Sequence, residues 1–183
     1  FMAAFRGMDI TNDTAAYYRT YQKIAYSGFA GETRMEIGYV ALNVFLTHIF
    51  QDTLVGFHVL LFITSVFCYG ALEQWIERHA ITYGICVITF YFLSNQSYMS
   101  AIRQSVAVGF ILWALMAMED LNGRKRYIVY ALLIAFATLF HKTAVVALIF
   151  PFLMKREYTR NTTWLLMLIT LVATLTNVVS SVI

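Results

Sequence analysis

Residues 53–72 read TLVGFHVLLFITSVFCYGAL, twenty positions without an aspartate, glutamate, lysine or arginine. A helix crossing the hydrocarbon core of a bilayer takes about 20 apolar residues, so this stretch alone is long enough to span. Two further charge-free runs, 80–102 and 161–183, pass the same length test. Runs 104–118, 127–140 and 143–154 are shorter. They reach span length if flanking polar side chains snorkel or if they pack inside a bundle. Backbone groups in lipid must pair within their own segment, which makes helices the default. The alternation of a membrane barrel is absent. The predicted fold is therefore all-α: a polytopic transmembrane helical bundle of about six to seven hydrophobic segments.

Composition agrees. Of 183 residues, 60% are hydrophobic and 13% charged, against about 25% charged in an ordinary soluble domain. That excludes a soluble globular or disordered chain. One proline and nine glycines exclude a collagen-like chain. A net charge of +3, scattered along the sequence, gives no basis for nucleic-acid binding. Cys68 and Cys86 lie inside apolar runs and read as small buried hydrophobes rather than a disulfide. The chain begins with Phe1, which suggests a piece of a longer protein.

Nine basic residues follow position 36. If the runs are alternating spans, Arg78, Arg124, Lys125, Arg126, Lys155, Arg156 and Arg160 fall on one side, and Arg103 and Lys142 on the other. The positive-inside rule puts the larger set in the cytoplasm, leaving the loop 94–104 and the turn at His141 and Lys142 outside. Residues 1–36 hold Arg6, Arg19, Lys23 and Arg34 against Asp9, Asp13, Glu32 and Glu36. Tyr17, Tyr21 and Ile24 recur at helical spacing, and Gly28 and Gly31 would end that helix. Run 37–51 carries Asn43, Thr47 and His48, and reads as a half-buried or re-entrant helix. The expected organisation is thus an amphipathic, extracytoplasmic segment at 1–36 and a transmembrane helical domain at 37–183. Were 37–51 a true span, 1–36 would be cytoplasmic instead.

There is no P-loop, dinucleotide fingerprint, HExxH, paired CxxC or DxD. The histidines form no cluster with cysteine or aspartate, so no metal site is expected. Three places could carry chemistry. Arg103 opens an apolar run, with Ser100 as the expected cap of the helix beginning there. A cation at a helix N-terminus is unfavourable by about 0.3–1 kcal/mol, and a bound anion would offset it. The alternative is an arginine reaching lipid phosphates. His141 and Lys142 interrupt the apolar stretch 127–154, where histidine could transfer a proton; the alternative is an interfacial turn. Arg6, Asp13, Tyr17, Glu36 and Tyr39 read as a solvated, tyrosine-rich interfacial segment; the alternative is a sugar-stacking site.

Four short motifs occur in order. They are Arg6 with Asp13-Thr14 and Tyr17; Glu36-Ile37-Gly38-Tyr39 with Leu42-Asn43; Ile102-Arg103-Gln104-Ser105 with Ala107; and Phe140-His141-Lys142-Thr143-Ala144. In this order the chain resembles the EpsG-like family of bacterial polysaccharide polymerases, related in role to the Wzy-type O-antigen and capsule polymerases. The resemblance implies a multi-pass protein of the bacterial cytoplasmic membrane, with no cofactor. Its substrate would be oligosaccharide repeat units on an undecaprenyl diphosphate carrier, joined by glycosyl transfer at the outer face. Its partners would be that lipid-linked substrate, the bilayer and other membrane proteins of polysaccharide synthesis. Arg103 would hold the diphosphate, with Arg6 second and Lys142 assisting. His141 or Glu36 would be the base. Asp13, Tyr17, Gly38, Tyr39, Asn43 and Gln104 would complete the substrate-binding set. A flippase or exporter of the same lipid-linked sugars, and a non-catalytic membrane subunit of a synthesis complex, are the competing readings.

Overall fold

The structure, a computed structural model, describes residues 6–7, 13–31, 34–154, 162–164, 167–168 and 172. Asp9, Glu32, the basic block Lys155, Arg156 and Arg160, and most of the run 161–183 lie outside the described residues. All regular structure among the described residues is helical: α1 (Thr14–Ser27), α2 (Ile37–Ile49), α3 (Thr53–His79), α4 (Tyr83–Leu93), α5 (Asn95–Ser100), α6 (Ile102–Asp120), α7 (Gly123–Phe140) and α8 (Phe150–Met154). Short 3-10 helices occupy Gly28–Gly31 and Lys142–Ile149. The chain divides into two compact units, Phe1–Leu148 and Ile149–Ile183, and α8 belongs to the second.

Two described helices are long and apolar enough to cross a membrane: α3, whose apolar 18-residue stretch has mean hydropathy 1.9, and α6, where it is 1.3. The charge-free run at 53–72 extends through its polar end to His79. Asp52 caps it, its carboxylate accepting from the Leu54 and Val55 amides at 2.8 and 3.2 Å. At their C-terminal ends α3 and α6 are tied side by side. Arg78 donates to both carboxylate oxygens of Asp120 at 2.9 Å, and His79 Nε2 stands 2.9 Å from Glu119. The two helices are therefore parallel. α7 returns antiparallel to α6 after the two-residue link Leu121 and Asn122, with Gly123 at φ +64 turning the corner.

Run 80–102, expected to span in one piece, does not. It breaks at Ser94 into α4, of 11 residues, and α5, of 6, about 16 and 9 Å long at 1.5 Å per residue. The polar cluster around Asn95 finds partners on α3 instead of continuing. The Tyr69 hydroxyl donates to Asn95 Oδ1 at 2.5 Å, and the Tyr98 hydroxyl donates to the Cys68 carbonyl at 3.2 Å. Segment 95–100 is thus held against the middle of α3, rather than forming a loop beyond its end. Ser100 does not cap α6 either. Ala101 is the N-cap, without a side-chain bond, and Ser105 closes the turn by donating to the Tyr98 carbonyl at 2.6 Å. Both cysteines are free; Cys68 is buried and Cys86 only half-buried.

The amphipathic helix read from Tyr17, Tyr21 and Ile24 is α1. Those residues and Thr14 are its buried face, and it ends at Gly28, φ +56. The main core gathers Tyr17 and Tyr21 from α1, Tyr39 and Leu46 from α2, Phe57, Leu60 and Leu61 from α3, and Ile102 from α6. Between lipid-facing helices close packing, rather than water exclusion, supplies cohesion. Ala107, Ala137 and Ala144 make such a contact between α6, α7 and the turn after it. The same logic applies between α2 and α7, where Gly38 lies against the Leu139 backbone.

Candidate functional site

Three helix ends converge. Glu36 precedes α2 in extended conformation, and its side chain makes no cap bond to its own helix, so the carboxylate is free to reach elsewhere. It meets Arg103, in the first turn of α6, whose Nη1 donates to Glu36 Oε2. On its other side His141, the residue that ends α7, places Nδ1 3.6 Å from Glu36 Oε1. The three side chains are 10% (Glu36), 25% (Arg103) and 29% (His141) exposed. At these exposures the charges are largely removed from water, and their pairing counts for more than at a surface.

The cation at the α6 N-terminus thus has its anion, supplied by the protein itself. Burial pushes the Glu36 carboxyl upward. A bond to its own backbone, the Arg103 guanidinium and His141 pull it further down, so it stays below the ordinary carboxylate range. Glu36 is ionised and committed to Arg103.

Arg6 is the second cation. It is 3% exposed, and its Nε donates to Thr14 Oγ1 at 3.0 Å. Its Nη2 is buried and has no hydrogen-bond partner among the described residues. Burial lowers its pKa, opposed by the nearby Tyr69, Tyr17 and Tyr39 hydroxyls, and a guanidinium keeps its charge under such a shift. Arg6 looks into a small recess lined by the polar Thr64, Ser65, Tyr69, Tyr98 and Ser105 and by the apolar Cys68, Met99 and Ile102. Tyr17 and Tyr39 stand edge to face, ring centroids 5.7 Å apart, within electrostatic reach of both arginines. Two guanidinium groups against one carboxylate leave the buried group with a surplus positive charge, suited to an anionic ligand.

Depth follows from the helix pairing. Counting seventeen residues back from Arg78 and from Asp120 reaches Leu61 and Arg103, and Ile102 indeed packs with Leu60 and Leu61. α3 begins eight residues further out, at Thr53. Arg103 is therefore sunk about 12 Å below that end.

Of the residues singled out from sequence, Arg6, Tyr17, Glu36, Tyr39, Arg103 and His141 are brought together. Asn43 is buried one turn further along α2, donating to the Tyr39 carbonyl at 2.6 Å. Gly38 touches Leu139 backbone. Asp13, Gln104 and Lys142 are exposed. Thr64, Ser65, Tyr69 and Tyr98 escaped the sequence reading. The adjacent hydroxyls Thr64 and Ser65 in the middle of run 53–72 were the available signal. No group of three or more His, Cys, Asp or Glu able to hold a metal occurs among the described residues.

The chain belongs to the EpsG family, whose model matches residues 1–183. It is a membrane protein of polysaccharide synthesis. No curated protein and no solved structure matches it.

Proposed function

From membership of the EpsG family and the buried charged group, we propose that this protein is a metal-independent polysaccharide polymerase of the bacterial cytoplasmic membrane. It joins oligosaccharide repeat units carried on undecaprenyl diphosphate, by glycosyl transfer at the outer face. In this reading residues 1–36 approach from the extracytoplasmic side, with Arg6 reaching in to the level of residues 64–69 of α3. α1 packs on the Thr53 end of α3, where the Tyr18 hydroxyl lies 3.4 Å from Thr53 Oγ1. That end is opposite to Arg78 and the basic residues at 124–126.

The observation that carries the proposal is the Glu36 carboxylate set between Arg103 and His141. A carboxylate held by arginine is a poor base, but it orients a neighbouring imidazole. In the proposed reaction Nδ1, 3.6 Å from Glu36, carries the proton and Nε2 accepts one. In the reaction an acceptor hydroxyl attacks the anomeric carbon of the growing chain. His141 Nε2 takes the hydroxyl proton, and the bond to the diphosphate breaks with its electron pair leaving on the lipid diphosphate. Negative charge on that leaving group is met by Arg6, through its unpartnered Nη2, and by Arg103. Lys142 contributes from the exposed side. Tyr17 and Tyr39, buried beneath the site, brace the two arginines, with Asn43 behind them, and Asp13 and Gln104 contact the outer parts of the substrate.

The test is polymer size on a gel from a deletion strain complemented with variants. Wild type restores a ladder, and deletion collapses it to single-unit bands. Arg103→Lys loses the ladder, because lysine lacks the fork that serves Glu36 and substrate together. A normal ladder in Arg103→Lys removes Arg103 from the site. Single tolerance of Arg6, Arg103 and His141 substitutions alike would favour a non-catalytic subunit. The depth of Arg6, level with residues 64–69 of α3, favours a flippase as the second reading. In vesicles a flippase moves intact units, while a polymerase lengthens them.

A further inference from the structure

Gly38 follows Glu36 by two residues, and Leu139 precedes His141 by two. A Cβ at position 38 would stand 2.7 Å from the Leu139 carbonyl oxygen, 2.8 Å from its Cβ and 3.0 Å from its carbonyl carbon. Two of these are backbone atoms, and the third is fixed to the backbone, so no side-chain rotation relieves the overlap. The first turn of α2 can therefore lie on the last turn of α7 only while position 38 has no side chain. An ordinary Cβ contact is 3.4–4 Å, so any larger residue separates the two helices by roughly 1 Å. The Glu36–His141 contact, already 3.6 Å, is carried by those same two turns.

We propose that Gly38 is a positioning residue: its missing side chain sets the distance from the Glu36 carboxylate to the His141 imidazole. The proposal rests on the polymerase reading for its consequence, the rate, but not for its geometry. A misplacement of about 1 Å in a catalytic group can cost about 10²-fold, and the resemblance-based role of Gly38 as a sugar contact is replaced by a helix-spacing role.

The experiment uses the whole protein in lipid nanodiscs, with histidines labelled in the ring nitrogens. The His141 signals are identified by their absence in His141→Gln. In Gly38→Ala the His141 ring signals move while those of His48 and His58 stay, and polymer synthesis falls about 10²-fold at unchanged membrane level. Unchanged polymer synthesis overturns the proposal. So does lost synthesis with unmoved His141 signals, which would mean Gly38 acts otherwise. If Gly38→Ala does not accumulate, Gly38→Ala with Leu139→Gly removes one of the three overlaps and is read in the same way. Failure of both to accumulate makes Gly38 a folding requirement and overturns the proposal. Should the wild type itself make no polymer, the polymerase reading fails, while the His141 signals still decide the role of Gly38.

Discussion

Glu36 and Arg103, sixty-seven positions apart in the chain, form one ion pair at the meeting of the α2 and α6 N-termini. Its consequence is acid lability. The Glu36 carboxyl is held below its ordinary value of 4.5, so folding favours the ionised form. That contribution is complete above about 4.5 and is lost as pH falls through the lower, folded-state value. Thermal unfolding in nanodiscs should show stability dropping on acidification below about pH 4.5. Glu36→Gln should lack that component and be less stable at neutral pH. Breaking a buried pair costs about 3–5 kcal/mol, because Arg103 is left without its partner. An identical acid profile for Glu36→Gln would show that the pair contributes nothing.

Arg6 makes the opposite prediction. Its burial and open Nη2 make it a cation kept at a cost to stability. Arg6→Met removes that cost along with one hydrogen bond to Thr14, worth about 1 kcal/mol. Stability should stay within about 2 kcal/mol of wild type, while the polymer ladder disappears. A large loss of stability would make Arg6 a structural residue.

Arg78→Ala provides the contrast. The Arg78–Asp120 pair is 42% and 56% exposed, and exposed pairs contribute about 0–1 kcal/mol. The variant should keep its polymer ladder, and its unfolding midpoint should move little. Loss of the ladder would mean that the far end of α3 and α6 reports on the site.

The legible parts of the fold were those written in local sequence. Run 53–72 became α3 because nothing charged interrupts it, and α1 showed its buried face at helical spacing. Arg103 could be read as a cation in need of an anion, since its place at a helix start is a local fact. That the anion is Glu36 could not, because the pair depends on α2 and α6 meeting. The break in run 80–102 was hidden for the same reason. Asn95 and Tyr98 look like loop residues until Tyr69 and the Cys68 carbonyl, on α3, are placed beside them. The two candidates for the base could not be ranked from sequence. Pairing with Arg103 separates them, by committing Glu36 and leaving His141 free in the proposed reaction.

Packing of α1 on α3 offers a prediction independent of function. Tyr21 is fully buried, its hydroxyl has no hydrogen-bond partner among the described residues, and burial pushes it up to about 12. A Cβ on Gly56 of α3 would run into that hydroxyl, with Tyr21 Cζ at 3.1 Å and Phe50 Cβ at 3.2 Å. Tyr21→Phe deletes an unsatisfied buried group and should leave stability equal to wild type or higher by about 1 kcal/mol. Gly56→Ala overpacks the contact and should cost about 1–3 kcal/mol. In the double variant the new methyl enters space the hydroxyl has left, so the loss should shrink by about 0.5–3 kcal/mol relative to the sum of the singles. Residual contacts with Tyr21 Cζ and Phe50 keep the rescue incomplete. Unfolding midpoints of the four proteins in one nanodisc composition measure this coupling. Simple additivity would mean that α1 does not rest on Gly56 through the Tyr21 hydroxyl.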